Sequence, residues 1–207
     1  MRIFGIDPGS ERTGYGCVET DGRRHHLVAC GAITAHQADP FPHRLARIHA
    51  ELSVLLASLH PDCVAIENLF YATNVRSALK LGHARGVAML AAIQAGCEVV
   101  EYTPAEIKRA VVGYGRAEKH QVGQMVKLLL GLTAAPSPHD AADALAVAIC
   151  HMHSMAPAGI GDQGSGIRIP NPESRIPNPE SRIPNPESRI PVKHPRTWRQ
   201  YRPPTQG

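Results

Sequence analysis

Two short apolar runs, Ile3-Phe4-Gly5-Ile6 and Cys63-Val64-Ala65-Ile66, each end on a carboxylate, Asp7 and Glu67. Their length, β-branched content and flanking turn residues predict buried strands. A strand that is apolar on both faces needs cover on both, which calls for a sheet with helices on either side. A carboxylate closing such a strand is costly unless it is solvated or paired. A further run, His139-Asp140-Ala141-Ala142-Asp143-Ala144-Leu145-Ala146, is rich in Ala and predicts the start of a helix. A spacing of three puts Asp140 and Asp143 on one face of that helix.

Four carboxylates that converge repel one another at neutral pH unless a cation lies between them. Oxygen donors favour hard divalent ions, Mg²⁺ or Mn²⁺. Each acid also has a structural alternative. Asp7 in Asp7-Pro8-Gly9-Ser10 suits a turn. Asp140 after Ser137-Pro138-His139 suits a helix N-cap, and Asp143 in the first turn suits the helix macrodipole. Glu67 is the hardest to explain by stability alone. The case for a site rests on the set and its order along the chain.

The pattern predicts strands at 2–7, 13–20 and 26–34, turning at Asp7-Pro8-Gly9-Ser10 and at Asp21-Gly22. A helix follows at 42–60, then a strand at 62–67, a loop around Phe70-Tyr71-Ala72-Thr73-Asn74 and a helix at 75–95. A strand at 97–102 leads to a helix from 104, with Thr103 as N-cap, Pro104 at its first position and Glu106 completing a capping box. Helices at 117–131 and 139–154 finish the pattern. Hairpin-linked strands followed by β-α alternation predict an α/β fold, a mixed five-stranded sheet with helices on both faces. Ligands of such sheets collect at the carboxyl ends of parallel strands, where Asp7 and Glu67 fall. The helix at 75–95 carries Ala78, Gly82, Ala84, Gly86, Ala88, Ala91 and Ala92. Small residues permit close packing, on its own sheet or across a subunit interface.

Length predicts one domain over 1–155 with an appendage at 156–207. Residues 1–155 carry 14 Lys or Arg and 14 Asp or Glu, so the formal net charge of +4 belongs to the rest of the chain. Nucleic-acid binding by the domain must therefore come from local placement of cations. The five cysteines form no Cys-x-x-Cys pair, and the twelve histidines form no His-Glu-x-x-His pattern. That argues against a zinc site or a disulfide framework and predicts a reducing, cytoplasmic setting. No apolar run reaches about 18 residues, and no signal segment is evident, so no membrane association is expected. In the tail, Arg-Ile-Pro-Asn-Pro-Glu-Ser occurs three times without a break from Arg168 to Ser188. Two prolines per unit preclude a helix, and the low apolar content predicts an extended or disordered segment.

Gly5-Ile6-Asp7-Pro8-Gly9-Ser10, Thr13-Gly14-Tyr15-Gly16, Ala65-Ile66-Glu67-Asn68-Leu69-Phe70, Ser77-Ala78-Leu79-Lys80-Leu81-Gly82, Ala84-Arg85-Gly86-Val87 and Asp140-Ala141-Ala142-Asp143-Ala144-Leu145 together resemble the RuvC family. The resemblance covers roughly 1–155. It implies a ribonuclease-H-like fold and an endonuclease that resolves four-way (Holliday) DNA junctions by paired symmetric nicks, in recombination and repair. It implies a homodimer, two Mg²⁺ per subunit with Mn²⁺ as substitute, and the RuvA–RuvB branch-migration complex as a partner. Carried over, the catalytic and metal-binding residues are Asp7, Glu67, Asp140 and Asp143. Lys108 and Lys119 match family lysines near the scissile phosphate, and Phe70 matches the aromatic that stacks on an unpaired base. His139 has no clear family match. The first loop also resembles the phosphate loop of actin-like ATPases and sugar kinases, although the second lobe of those proteins has no counterpart here. A junction-binding protein without catalysis is the third reading.

Overall fold

The computed structural model describes residues 1–68 and 74–155. The expectations for Phe70, its loop and the repeat tail fall outside these residues. The described fold lies within the unit Met1–Gly159. Its elements are β1 (Arg2–Asp7), β2 (Arg12–Thr20), β3 (His25–Thr34), α1 (Phe41–Leu59), β4 (Cys63–Glu67), α2 (Val75–Gln94), β5 (Glu98–Tyr102), α3 (Pro104–Val112), α4 (Lys119–Leu129) and α5 (His139–Met155). The strands form one sheet in the order β3-β2-β1-β4-β5. β1 pairs antiparallel with β2 and parallel with β4, and β4 pairs parallel with β5, so the predicted mixed sheet is what forms.

Strand alternation sorts the core into two layers. Phe4, Ile6, Val64 and Ile66 lie in one cluster with Ile48, Leu52 and Leu56 of α1 and Ala88, Ala91 and Ala92 of α2. Ile3 and Ala65, of the opposite parity, join Leu145, Ile149, Val122, Val126 and Ile107 in the other. Asp7 shares the parity of Ile3, and Glu67 that of Ala65. Both carboxylates therefore face the layer that holds α5. No described helix is long and apolar enough to cross a membrane.

The local signals operate as the side chains dictate. The Glu106 amide donates to Thr103 Oγ1 at 3.3 Å and the Thr103 amide donates to Glu106 Oε2 at 2.7 Å, closing the capping box of α3. Gly22 turns at φ 90° between β2 and β3, and Asp21 Oδ1 accepts from the amides of Arg23 and Arg24. Two expectations need correction. α4 begins at Lys119 and ends at Leu129, shorter than 117–131, because Glu118 and Gln121 form a capping box at its start. Asp140 is not an N-cap: α5 begins at His139, so Asp140 lies inside the first turn and its side chain pairs elsewhere.

Candidate functional site

The site is assembled by register. Ile6 pairs with Ile66 across β1 and β4, so the next residues, Asp7 and Glu67, emerge side by side at the carboxyl ends of parallel strands. On the other side of β1, Asp7 pairs with Gly14 and Gly5 with Gly16. Glycine at these positions lets α5 rest directly on the sheet. A Cβ on Gly14 would stand 2.0 Å from the Asp140 carbonyl oxygen, and one on Gly5 would stand 2.0 Å from that of Ala144. A Cβ on Gly16 would meet the Leu145 side chain at 2.6 Å. The first turn of α5 is thereby drawn down beside Asp7.

A cleft of about 250 Å³ opens at this junction, lined by Asp7, Glu67 and Asp143 together with Lys108 and Lys119. Pro104, Ile107, Val122 and Ala146 supply its apolar wall. Lys108 comes from α3 and Lys119 from the first position of α4. Five of the residues singled out in the sequence thus share one cavity. Asp140 does not line it: Arg12 Nε lies 3.2 Å from Asp140 Oδ2 and holds that carboxylate. His139 is not among the lining residues either.

The electrostatics explain how so many acids coexist. The Asp7 and Glu67 carboxyls lie close enough for one, when protonated, to donate to the other. Burial, then the negative charge of Asp7 and the bond to it, pushes Glu67 up to about 8. Asp7 is raised as well, chiefly by burial. The pair therefore retains a proton at neutral pH, with Glu67 as its holder. Lys119 Nζ lies 3.0 Å from Asp143 Oδ2, a hydrogen bond that raises the lysine.

Three neutralising devices, a shared proton, Lys119 and Arg12, are thus spread over four carboxylates. Among the described residues no three His, Cys, Asp or Glu side chains are gathered tightly enough to grip a metal as they stand. The donor set nonetheless suits one. The oxygens are hard, two of the acids are half-buried at negative potential high enough to keep a proton, and the other two are held by displaceable cations.

Arg12 is the site residue that sequence reasoning missed. Its only signal is a cation two positions beyond Ser10 in the first turn, and nothing in the linear order points it at Asp140, 128 residues later. The role of the three α5-facing glycines, Gly5, Gly14 and Gly16, depends on strand register, which no local sequence signal carries.

Comparison with known proteins bears on the whole described fold. The family model "Crossover junction endodeoxyribonuclease RuvC" matches residues 3–151. The enzyme of that name from Koribacter versatilis is 54% identical over 157 residues, 75% of this chain and 95% of the relative. That from Alkaliphilus oremlandii is 53% identical over 154 residues, 74% and 94% of the two chains. Among solved structures, Thermus thermophilus RuvC in complex with Holliday junction substrate aligns with a TM-score of 0.72 at 36% identity, over 75% of this chain and 95% of that one. The yeast mitochondrial Holliday junction resolvase shares the fold, at a TM-score of 0.55 and 15% identity over 73% of this chain and 77% of that one. The chain belongs to the RuvC family of crossover junction endodeoxyribonucleases.

Proposed function

We propose that the protein is a structure-selective endonuclease that resolves four-way DNA junctions by paired symmetric nicks. The observation that carries this reading is the convergence of Asp7, Glu67 and Asp143 with Lys108 and Lys119 in one cleft. Asp7, Glu67, Asp140 and Asp143 would hold the divalent cations, two Mg²⁺ per subunit, with Mn²⁺ able to substitute. The chemistry such ions supply when bound is activation of the attacking water and stabilisation of charge on the leaving 3′ oxygen. Asp7 and Glu67 would hold a cation as carboxylates, their shared proton passing to solvent. Lys119, 81% exposed along its side chain, is free to turn from Asp143 to a backbone phosphate. Lys108 offers a second cation in the same cleft. Phe70 is assigned to stacking on an unpaired base at the crossover, worth about 1–3 kcal/mol.

Such a reaction leaves 5′-phosphate and 3′-hydroxyl ends, in recombination and DNA repair in the cytoplasm, with the RuvA–RuvB complex as the associated machinery. Nicked products that DNA ligase reseals, from a four-way junction but not from linear duplex of the same sequence, are the expected result. Equal cutting of both substrates contradicts the reading.

A two-fold substrate calls for a two-fold enzyme. One surface of α2 suits the purpose. Val75, Leu79, Leu90 and Ile93 are more than half exposed and fall on one stripe at helical spacing. Gly82 and Gly86 lie within that stripe with open space above them. The bare glycines permit close approach of a second helix, and we assign this stripe to the homodimer interface. Leu90→Asp is expected to give a monomer by light scattering and to lose paired nicking. A dimer of unchanged mass rejects the assignment.

Residues 1–155 form the nuclease domain in this reading, and 156–207 are an appended segment without a catalytic part. Deleting 160–207 should leave junction cleavage within about twofold of the full chain, since no site residue lies there. A tenfold fall gives the segment a role.

A further inference from the structure

Asp140 stands apart from the other three acids. It is the partner of Arg12, while Asp7, Glu67 and Asp143 line the cleft. The backbones at both ends of this ion pair are fixed. Asp140 lies at its carbonyl against Gly14. The turn that carries Arg12 is held from both sides. Thr13 Oγ1 donates to the Gly9 carbonyl at 2.8 Å and the Ala35 amide donates to the Glu11 carbonyl at 2.8 Å. Glu11 Oε1 also accepts from Gln37 Nε2 at 3.0 Å and lies 3.7 Å from the buried Arg44 guanidinium. A Cβ on Gly9 would stand 2.1 Å from the Arg12 carbonyl oxygen, so the turn is closed upon itself.

The side chains, by contrast, are free to part. Arg12 is 51% exposed and Asp140 31% along their side chains, so water screens the pair and it is weakly held. The result is a cation anchored by its backbone beside a cation-binding carboxylate, in reversible contact with it.

We propose that Arg12 is a positioning residue that holds Asp140 out of the cleft and competes with the divalent cation for its carboxylate. This rests on the reading of the four acids as cation ligands. A carboxylate that accepts the guanidinium must release it, wholly or in part, before it completes the ligand set. The freed guanidinium then needs an anion, and a DNA backbone phosphate offers one in the geometry that Arg prefers. Cation and substrate therefore favour the same rearrangement, and each strengthens binding of the other. In the DNA-free protein Arg12 keeps the site weak for metal.

The experiment is calorimetric titration of Mg²⁺ into the full-length protein without DNA. Arg12→Gln should bind Mg²⁺ about fivefold more tightly than wild type, the scale of one exposed ion pair. Arg12→Lys, which keeps the charge, should stay near wild type. In an Asp140→Asn background, Arg12→Gln should add nothing, because the competition has lost its object. Circular dichroism establishes that each variant is folded. Unchanged affinity in Arg12→Gln overturns the proposal, as does an equal gain in the Asp140→Asn background, which would mark a diffuse charge effect. Mg²⁺ binding by wild type that Asp7→Asn leaves untouched has a different meaning: it removes the reading of the acids as ligands, and this proposal with it.

Discussion

Glu67→Gln is expected to abolish strand cleavage while leaving the cation-free protein folded and, at alkaline pH, more stable than wild type. Both effects stem from the proton that Glu67 holds. Its folded-state value, near 8, lies above the ordinary 4.5 of glutamate, so protonation is favoured by folding. The stability this contributes is fully present below about pH 4.5 and is lost as pH rises through about 8. Gln reproduces the shape and hydrogen-bond donor of the protonated acid but never ionises. In metal-free buffer the variant should match wild type in Tm near pH 4 and exceed it by a margin that grows toward pH 9. Mg²⁺ should then raise the Tm of wild type and fail to raise that of the variant, since a ligand stabilises only the state that binds it. Cleavage should fall by a thousandfold or more, about the scale for removing one member of a concerted catalytic set. Thermal melts at the two pH values, with and without Mg²⁺, check this. A variant that is unfolded at pH 6 makes Glu67 a structural residue.

Gly14→Ala is expected to have the second large effect, because the new methyl collides chiefly with the backbone of α5 at Asp140. A Cβ there stands 2.0 Å from the Asp140 carbonyl oxygen and 2.6 Å from its carbon. These are backbone atoms of a helix packed along its length, so relief requires α5 to lift. Overpacking of this kind costs about 1–3 kcal/mol. The functional loss should be larger than the stability loss, because lifting the first turn carries Asp140 and Asp143 away from Asp7 and Glu67. A displacement of about 1 Å at a catalytic group costs on the order of a hundredfold in rate. Gly123→Ala in α4 is the control. Open space surrounds that position, and Ala should stabilise the helix by up to about 1 kcal/mol with cleavage intact. Cleavage by a folded Gly14→Ala protein at the wild-type rate contradicts the account of how α5 is seated.

The strands, their mixed order and the capping of α3 were legible in the sequence because each rests on a local signal: apolar runs closed by turns, and Thr103 with Glu106 three residues on. The convergence of Asp7, Glu67 and Asp143 was legible for a different reason. Acids at strand ends are expensive, and their order along the chain matched a family pattern. What escaped was everything set by register or by rotamer. Gly14 matters because it pairs with Asp7 and lies beneath Asp140, a relation between three elements. Asp140 shared a helix face with Asp143, yet the two turn to different cations, Arg12 and Lys119. Periodicity places a Cβ and leaves the end of the side chain to electrostatics. α4 starts two residues later than its apolar pattern suggests, because Glu118 and Gln121 cap the helix there.

In the proposed function these four acids form the cutting site of a junction resolvase. Its most direct test is to incubate the purified protein with a synthetic mobile four-way junction, with Mg²⁺ or with chelator, beside the Asp7→Asn variant. Paired nicks at symmetric positions that require both Mg²⁺ and Asp7 are expected, with junction binding retained by the variant. Nicking that persists in Asp7→Asn, or selective binding by wild type with no cleavage in Mg²⁺, contradicts it.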